Sequence, residues 1–399
     1  MKNIEKRLLE VYKAENPSTY KIESDPKEFE YRKRFVSTLI EHRLKLPRQL
    51  FHGARLLEFG AGTGEHSLFY LKWGAKGTFV DFNDDALKRM RVLFETFSID
   101  PSQYEIHHQS IYDFQAANRK WDIVLAMGLL HHLRDKESAL DIVAECVQPG
   151  GFLVLGVSTM AGLFQVSLQR WAVRRLAGND DARACEIAEQ LFDEHISRSQ
   201  RFGKRSRRAI IYDTYINPKI DGFGLKQLLQ KLQSHGLTLY SSWPTHQSAA
   251  QGDSAYREDV DLVQTPEFLI FPELQWLSHR DDDIADMEAM RDQLSHVYTG
   301  ITDLLNCGNQ LNSMQLNVAE QTLEAIEKIQ PQLKPELSPY TACVERTQIL
   351  LSEAGAFIRA ILDNDLETAA EISAHTDVLF KGTSGVGINY FVAHRAHSD

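Results

Sequence analysis

Glu58 stands two residues ahead of the first of three alternate glycines, Gly60, Gly62 and Gly64, in the stretch "LLEFGAGTGEHSLFY", and Asp81 follows seventeen residues after the last of them. Glycine lets a ligand approach the main chain closely, or lets the chain turn with φ > 0. The run is G-x-G-x-G, not the G-x-G-x-x-G fingerprint that seats a dinucleotide pyrophosphate on a helix N-terminus. It nevertheless follows an apolar run and opens a helical pattern. A carboxylate at Asp81 can accept hydrogen bonds from both ribose hydroxyls of a nucleoside, and Phe82 beside it can lie against a base. The bland alternative is a tight strand-to-helix turn with an unrelated surface aspartate.

Two other stretches carry groups able to do chemistry. His131 and His132 follow the apolar run Ile123 to Leu130, and a histidine titrates in the range useful to a general base. In "DTYINP" at 213–218, an extended backbone would set Asp213, Tyr215 and Asn217 on one face, because side chains alternate along a strand, and Pro218 biases Asn217 towards that conformation. A carboxylate, a phenol and an amide in a row could orient an acceptor; an ordinary turn before a helix is the alternative. The segment "SRSQRFGKRSRR" holds Arg198, Arg201, Lys204, Arg205, Arg207 and Arg208 without an acid. It is either a solvated basic loop or a clamp for a phosphate or carboxylate of a substrate. Only Phe202 interleaves it, a poor match to nucleic-acid stacking.

These residues need elements to hold them. From Arg55 to Val157 short apolar runs alternate with helical patterns, the signature of parallel strands joined by crossover helices. The spacing predicts strands at 55–59, 77–81, 104–107, 121–126 and 151–157, with helices near 64–73, 84–97 and 136–147. The last helix ends at "QPGG", which cannot continue one. Residues 158–210 read as helical; a helix at 222–236 and a strand at 237–243 follow. From 275 to 380 apolar residues recur at helical spacing, and "GINYFVAH" at 387–394 reads as a strand. The expected division is an N-terminal helical segment at 1–50, an α/β core at 51–245 with a helical and basic insert at 158–210, a linker at 246–274, a helical bundle inserted at 275–380, and a final core strand at 381–399. The bundle is a candidate surface for pairing two copies into a homodimer, a lid, or simple packing.

The chain of 399 residues is 43% hydrophobic and carries a net charge of -11 from 55 acidic and 44 basic residues. That balance speaks against a broad nucleic-acid-binding surface. Four scattered cysteines, Cys146, Cys185, Cys307 and Cys343, form no C-x-x-C pair, so neither a zinc site nor a disulfide framework is expected, and a reducing cytoplasm is the simplest setting. No metal-ligand pattern stands out. The charged opening "MKNIEKRLLEVYKAEN" and the shortness of the longest apolar run predict no signal peptide and no membrane segment.

The glycine stretch, preceded by hydrophobics and an acid, resembles motif I of the class I S-adenosylmethionine-dependent methyltransferases. "TFVDFN" resembles their acidic second motif, "WDIVLAMGLLHHL" their fourth-strand motif and "VQPGGFLVLG" their fifth-strand motif. The match covers about residues 50–157. It implies a Rossmann-like, mostly parallel seven-stranded α/β sheet, here with a helical insertion or subdomain, and S-adenosylmethionine as cofactor. By that resemblance Glu58 positions the methionine part, Gly60, Gly62 and Gly64 admit the backbone-hugging tail, Asp81 binds the ribose with Phe82 beside it, and Met127 of the fourth-strand motif joins the cofactor site. Ser110 stands where many members carry an aspartate that contacts the adenine amino group, so that contact passes to Ser110 or to the backbone of Ile111, with Asp113 the alternative.

The expected enzyme moves a methyl group to an oxygen or nitrogen of a small-molecule or saccharide-like acceptor, anionic if the basic segment is a clamp. The candidate catalytic groups are His131 and Asp213; His132, Tyr215 and Asn217 are the candidate acceptor-binding groups. A non-catalytic cofactor-binding module that recruits a partner and an RNA methyltransferase are the alternatives.

Overall fold

Five apolar runs in the first half of the chain form parallel strands: β1 (Arg55–Phe59), β2 (Lys76–Asp81), β3 (Tyr104–His108), β4 (Trp121–Met127) and β5 (Val147–Ser158). Two more, β6 (Leu237–Trp243) and β7 (Ile388–Arg395), complete a seven-stranded sheet in the order β3-β2-β1-β4-β5-β7-β6. The chain was analysed as a computed structural model, which describes residues 6–10, 13, 22–203, 206–245, 261–277, 363–381 and 388–396, with scattered single positions between 295 and 361. The strands β1, β2, β4 and β5 read as nearly continuous apolar runs because both faces of the sheet are covered.

One face buries Leu57, Phe59, Val124, Ala126, Leu153 and Leu155 beneath helices α4 (Lys136–Glu145) and α8 (Leu225–Ser234). The other buries Leu56, Phe79, Leu125 and Val154 beneath α1 (Pro26–Ser37), α2 (Ser67–Lys72) and α3 (Asp84–Thr96). Alternate residues of one strand thus serve opposite layers, each large side chain contributing about 1.5–3 kcal/mol of burial. A third apolar cluster, holding Ile187, Phe192, Ile210, Tyr215 and Phe380, joins helices α5 (Met160–Ala177), α6 (Asp181–Gly203) and α7 (Arg207–Ile211) to residues from 357 to 380.

The parallel register places the carboxyl ends of β1, β2, β3 and β4 along one edge, with Phe59 opposite Val80 and Ala126, and Asp81 opposite His108. Strand β7 runs antiparallel to both β5 and β6 and lies between them. Earlier in the chain, the apolar segment "EFLIF" at 267–271 forms no strand: a 3-10 turn, Pro266–Leu269, enters helix α9 (Ile270–Leu277). A proline is tolerated at such a helix entrance and cannot donate to a sheet ladder. The linker expected at 246–274 is therefore partly helical, its first fifteen residues lying outside the described ones. Of the bundle expected at 275–380, helix α10 (Leu366–His375) is described; most of the remainder lies outside the described residues.

The extended row at 213–218 does not form. Ser206 caps α7 by accepting from Ala209 N, and the helix continues directly into a π-helical turn, Tyr212–Ile216, closed by Asn217 N donating to Tyr212 O at 2.7 Å. Ile211, Tyr215 and Ile216 are buried together, a helical spacing that a strand would split between two faces.

Candidate functional site

Strand β1 ends at Phe59, and Gly60 N extends the ladder one step by donating to Val80 O at 2.9 Å. The chain then turns through Gly60, Gly62 and Gly64, with φ of +70, +56 and +85. At Gly64 a side chain would force its neighbours to shift, since a Cβ would fall 2.7 Å from Met90 Cγ of α3. A Cβ at Gly62 would meet nothing within 4 Å, so the backbone there is bare and open to a ligand. Strand β2 ends where Asn83 caps α3 by accepting from Asp85 N and Ala86 N. That fixes Asp81 directly beside the glycine turn: Gly62 N donates to Asp81 Oδ2 at 2.9 Å and Asn83 N to Oδ1 at 2.8 Å.

An open cleft lies over these strand ends. Its wall brings together Gly60, Asp81, Phe82, Ser110, Ile111 and His132, residues that sequence patterns had marked in four separate stretches. Ser110, and not the exposed Asp113, faces it. Leu8, Phe59, Val80, Gln109, Leu129 and Leu133 complete the wall. Leu129 and Leu133 flank the histidine pair and could have been found from "LLHHL"; Leu8 carries no local signal, because it arrives from a helix some fifty residues ahead of the glycine turn.

Two carboxylates define the electrostatics. Asp81 is 9% exposed and burial raises its pKa, opposed by its backbone N–H donors. Glu58 is 5% exposed, on the face of β1 opposite to Phe59, and accepts from Ser67 Oγ at 2.6 Å. Burial pushes it up to about 7; the Ser67 hydroxyl opposes that, and the charge of Asp81 adds to it. Such a pair favours ligands that bring hydroxyl donors or a positive charge.

The two histidines diverge because they share one 3-10 turn, Leu130–His132, in which successive side chains point about a third of a turn apart. His131 points inward, 4% exposed, with Nδ1 lacking a hydrogen-bond partner and its pKa held well below the usual value by burial. It is not among the residues that line the cleft. His132 faces the cleft, and its Nδ1 lies 3.0 Å from Lys219 O and 3.3 Å from Asn217 Nδ2.

Other candidate residues also lie away from the cleft wall. Tyr215 is fully buried, stacked on Phe192 with its hydroxyl 3.0 Å from His195 Nδ1, and belongs to the helical core instead of the acceptor wall. Asp213 is half-buried near the Arg170 guanidinium and does not line the cleft. Met127 packs against the core layer on the other face of the sheet. The basic segment is drawn into internal contacts: Arg207 pairs with Glu189 at 2.9 Å and with Asp193, Arg198 donates to Phe380 O and pairs with Glu194 at 3.3 Å, and Arg208 lies over the Tyr212 ring at 5.2 Å. Lys204 and Arg205 lie outside the described residues. Among the described residues no cluster of His, Cys, Asp and Glu suited to a metal occurs, and no helix is long and apolar enough to cross a membrane.

Residues 29–195 match the model of a family described as a methyltransferase domain. The matched stretch takes in strands β1 to β5 and the cleft residues from Phe59 to Leu133. The chain is similar to an uncharacterized protein of Synechococcus sp., 26% identical over 200 residues that cover 46% of this chain and 47% of that protein. It is also similar to a tRNA U34 carboxymethyltransferase of Methylococcus capsulatus, 31% identical over 110 residues that cover 28% of this chain and 34% of that protein. The chain thus spans about half the length, or less, of the curated relatives it matches. Among solved structures, PKMT2 from Rickettsia typhi aligns over 60% of this chain and 49% of its own at 16% identity, with a TM-score of 0.42. Magnesium protoporphyrin IX methyltransferase from Synechocystis, with bound S-adenosylmethionine, covers 53% of this chain and 71% of its own at 10% identity, with a TM-score of 0.34.

Proposed function

We propose that this chain moves a methyl group from S-adenosylmethionine to an oxygen or nitrogen of a small-molecule or saccharide-like acceptor. The observation that carries the reading is the convergence of Gly60, Asp81, Phe82, Ser110 and Ile111 on one cleft whose far wall is His132. The donor set fits an adenosyl cofactor: bare backbone at Gly62, a buried carboxylate for ribose hydroxyls, and a ring beside it. When bound, S-adenosylmethionine supplies a methyl group activated by its sulfonium.

Asp81 would hold the ribose through its carboxylate oxygens, and Ser110 or the Ile111 backbone the base. Glu58, behind the turn, would face the positively charged end of the amino-acid tail. Leu129, Leu133 and Phe59 give the cleft an apolar lining beside His132. Methyl transfer is an in-line displacement, so most of the acceleration comes from holding acceptor and methyl in near-attack geometry.

Calorimetry with S-adenosylmethionine and S-adenosylhomocysteine tests the cofactor assignment, and a preference for NAD over both would sink it. Incubating the protein with methyl-labelled cofactor and a size-fractionated cell extract then finds the acceptor class. Cofactor binding with no labelled fraction would leave a non-catalytic binding module as the better account. The internal pairing of Arg198 and Arg207 favours a small acceptor over RNA, which would need a broader basic face.

A further inference from the structure

Leu8 lines the cleft and is 3% exposed, although the segment that carries it, helical over residues 6–10, is distant in sequence from every strand. Its companions in the wall include Asp81, Phe82, Ser110 and Ile111, the residues assigned above to the adenosyl group, with Leu129 and Leu133 beside them. Among the described residues, Leu8 belongs to none of the three apolar clusters of the fold. Its burial is therefore a property of the cleft and not of a core.

The segment is tied down on both sides of Leu8. Arg7 Nη2 lies 3.3 Å from both carboxylate oxygens of Asp181, the first residue of α6. Lys13 Nζ lies 2.6 Å from Asp84 Oδ1 and 3.5 Å from Asp85 Oδ2, in the first turn of α3 directly after Asp81 and Phe82. These ties are weak, since the side chains are 48% and 39% exposed in the first pair and 38% and 35% in the second, and ion pairs so exposed are screened by water and salt. They are also releasable. Asp181 keeps Arg174 at 2.9 Å, and Asp84 and Asp85 keep Lys88 at 3.0 and 2.9 Å, so lifting the segment leaves no carboxylate without a cation. The largest hold on the segment is the burial of Leu8 itself.

Building on the cofactor reading above, we infer that the N-terminal segment bearing Arg7, Leu8 and Lys13 is a strap over the adenosyl half of the cleft: Leu8 packs against the bound adenosyl group, and the cofactor exchanges when the two ion pairs part. A ligand that gives Leu8 an apolar partner favours the closed strap, and the closed strap slows release of that ligand, because the two equilibria are linked. The strap joins the helical insert, through Asp181, to the turn that carries Asp81, so it acts on exchange of the cofactor and not on the chemistry at the acceptor.

The test uses the full chain and S-adenosylhomocysteine as probe. Hydrogen exchange read by mass spectrometry in the peptide holding residues 6–10 should slow by about tenfold when the probe saturates the site. Leu8→Ser should weaken affinity by about tenfold, whereas Leu8→Met keeps it. Lys13→Glu, at an exposed position that spares folding, should speed dissociation by about threefold in dilute buffer and match wild type in concentrated salt. Exchange that ignores the probe, a folded Leu8→Ser protein with wild-type affinity, or a Lys13→Glu dissociation rate equal to wild type in dilute buffer each overturns the inference. A wild type that binds no S-adenosylhomocysteine would instead defeat the cofactor reading. The strap is then decided in the ligand-free protein: exchange at residues 6–10 should rise with salt while β1 and β4 stay protected, and a segment indifferent to salt overturns it.

Discussion

The two walls of the cleft are built by different means. The wall that holds Gly60, Asp81 and Ser110 comes from the tips of neighbouring parallel strands, so backbone geometry places it: Gly62 N and Asn83 N reach Asp81 from residues near in space and sequence. The wall that holds His132 is assembled across 85 residues, by Asn217, and from a helix, by Arg170. One wall depends on φ angles and strand register; the other depends on side chains bridging separate elements. Damage to the first should reach both folding and cofactor affinity, whereas damage to the second should leave cofactor affinity intact.

The largest break should come at Gly64. With φ of +85 and a Cβ position 2.7 Å from Met90 Cγ, Gly64→Ala adds left-handed strain to overpacking, and unfolding free energy should fall by about 2–4 kcal/mol. Thermal unfolding measures it, and a stability equal to wild type would mean the turn is more pliant than its packing implies.

Glu58→Gln sharpens the same wall in the opposite direction. The folded protein lifts this acid from 4.5 to about 7, so it holds a proton that the unfolded chain has already lost. Its full contribution is present below pH 4.5 and is lost as pH rises to about 7. The ligand-free wild type should shed up to about 3 kcal/mol over that window relative to Glu58→Gln. Parallel denaturant curves for the two proteins across the window would refute the shift.

Asp81→Ala should weaken S-adenosylhomocysteine binding by about 1–3 kcal/mol, through ribose hydroxyls left without an acceptor. Calorimetry reads this directly, and an unchanged affinity would move the ribose elsewhere. The smallest effect belongs to the region beyond the second wall. Tyr215→Phe removes one buried hydrogen bond to His195 and should cost about 1 kcal/mol of stability, with cofactor affinity untouched. A drop in affinity would show that the helical core reaches the site after all.

This contrast also explains what the sequence discloses. Strands β1 to β5 and the cofactor-side residues are legible because each rests on a local pattern: an apolar run, a turn that only glycine can make, an acid at a strand end. Ser110 came from the resemblance instead, by its place in "HHQSIYDF" where many members carry an aspartate, with Asp113 the alternative. Tyr215 misled because the period of five residues is too short to separate a strand from a helical turn, and the choice was made elsewhere, by Ser206 capping α7 and by burial of Ile211 and Ile216. His131 and His132 are alike in sequence; only the 3-10 turn decides which one meets the cleft. Leu8 had no pattern to betray it, since its neighbours in the wall are distant along the chain.

The position of β7 has a consequence for how the protein is made. Ribosomes release the chain in order, so β5 and β6 emerge well before Ile388–Arg395, the strand that joins them. Through the translation of residues 244–387 both strands carry unpaired edges, and bare edges are templates for the wrong partner. The cleft's strands β1 to β4 can pair meanwhile, because all their neighbours have been synthesised. Cofactor-binding geometry is thus available to a nascent chain long before its sheet is closed, and a ligand captured early would act as a chaperone for the half already folded.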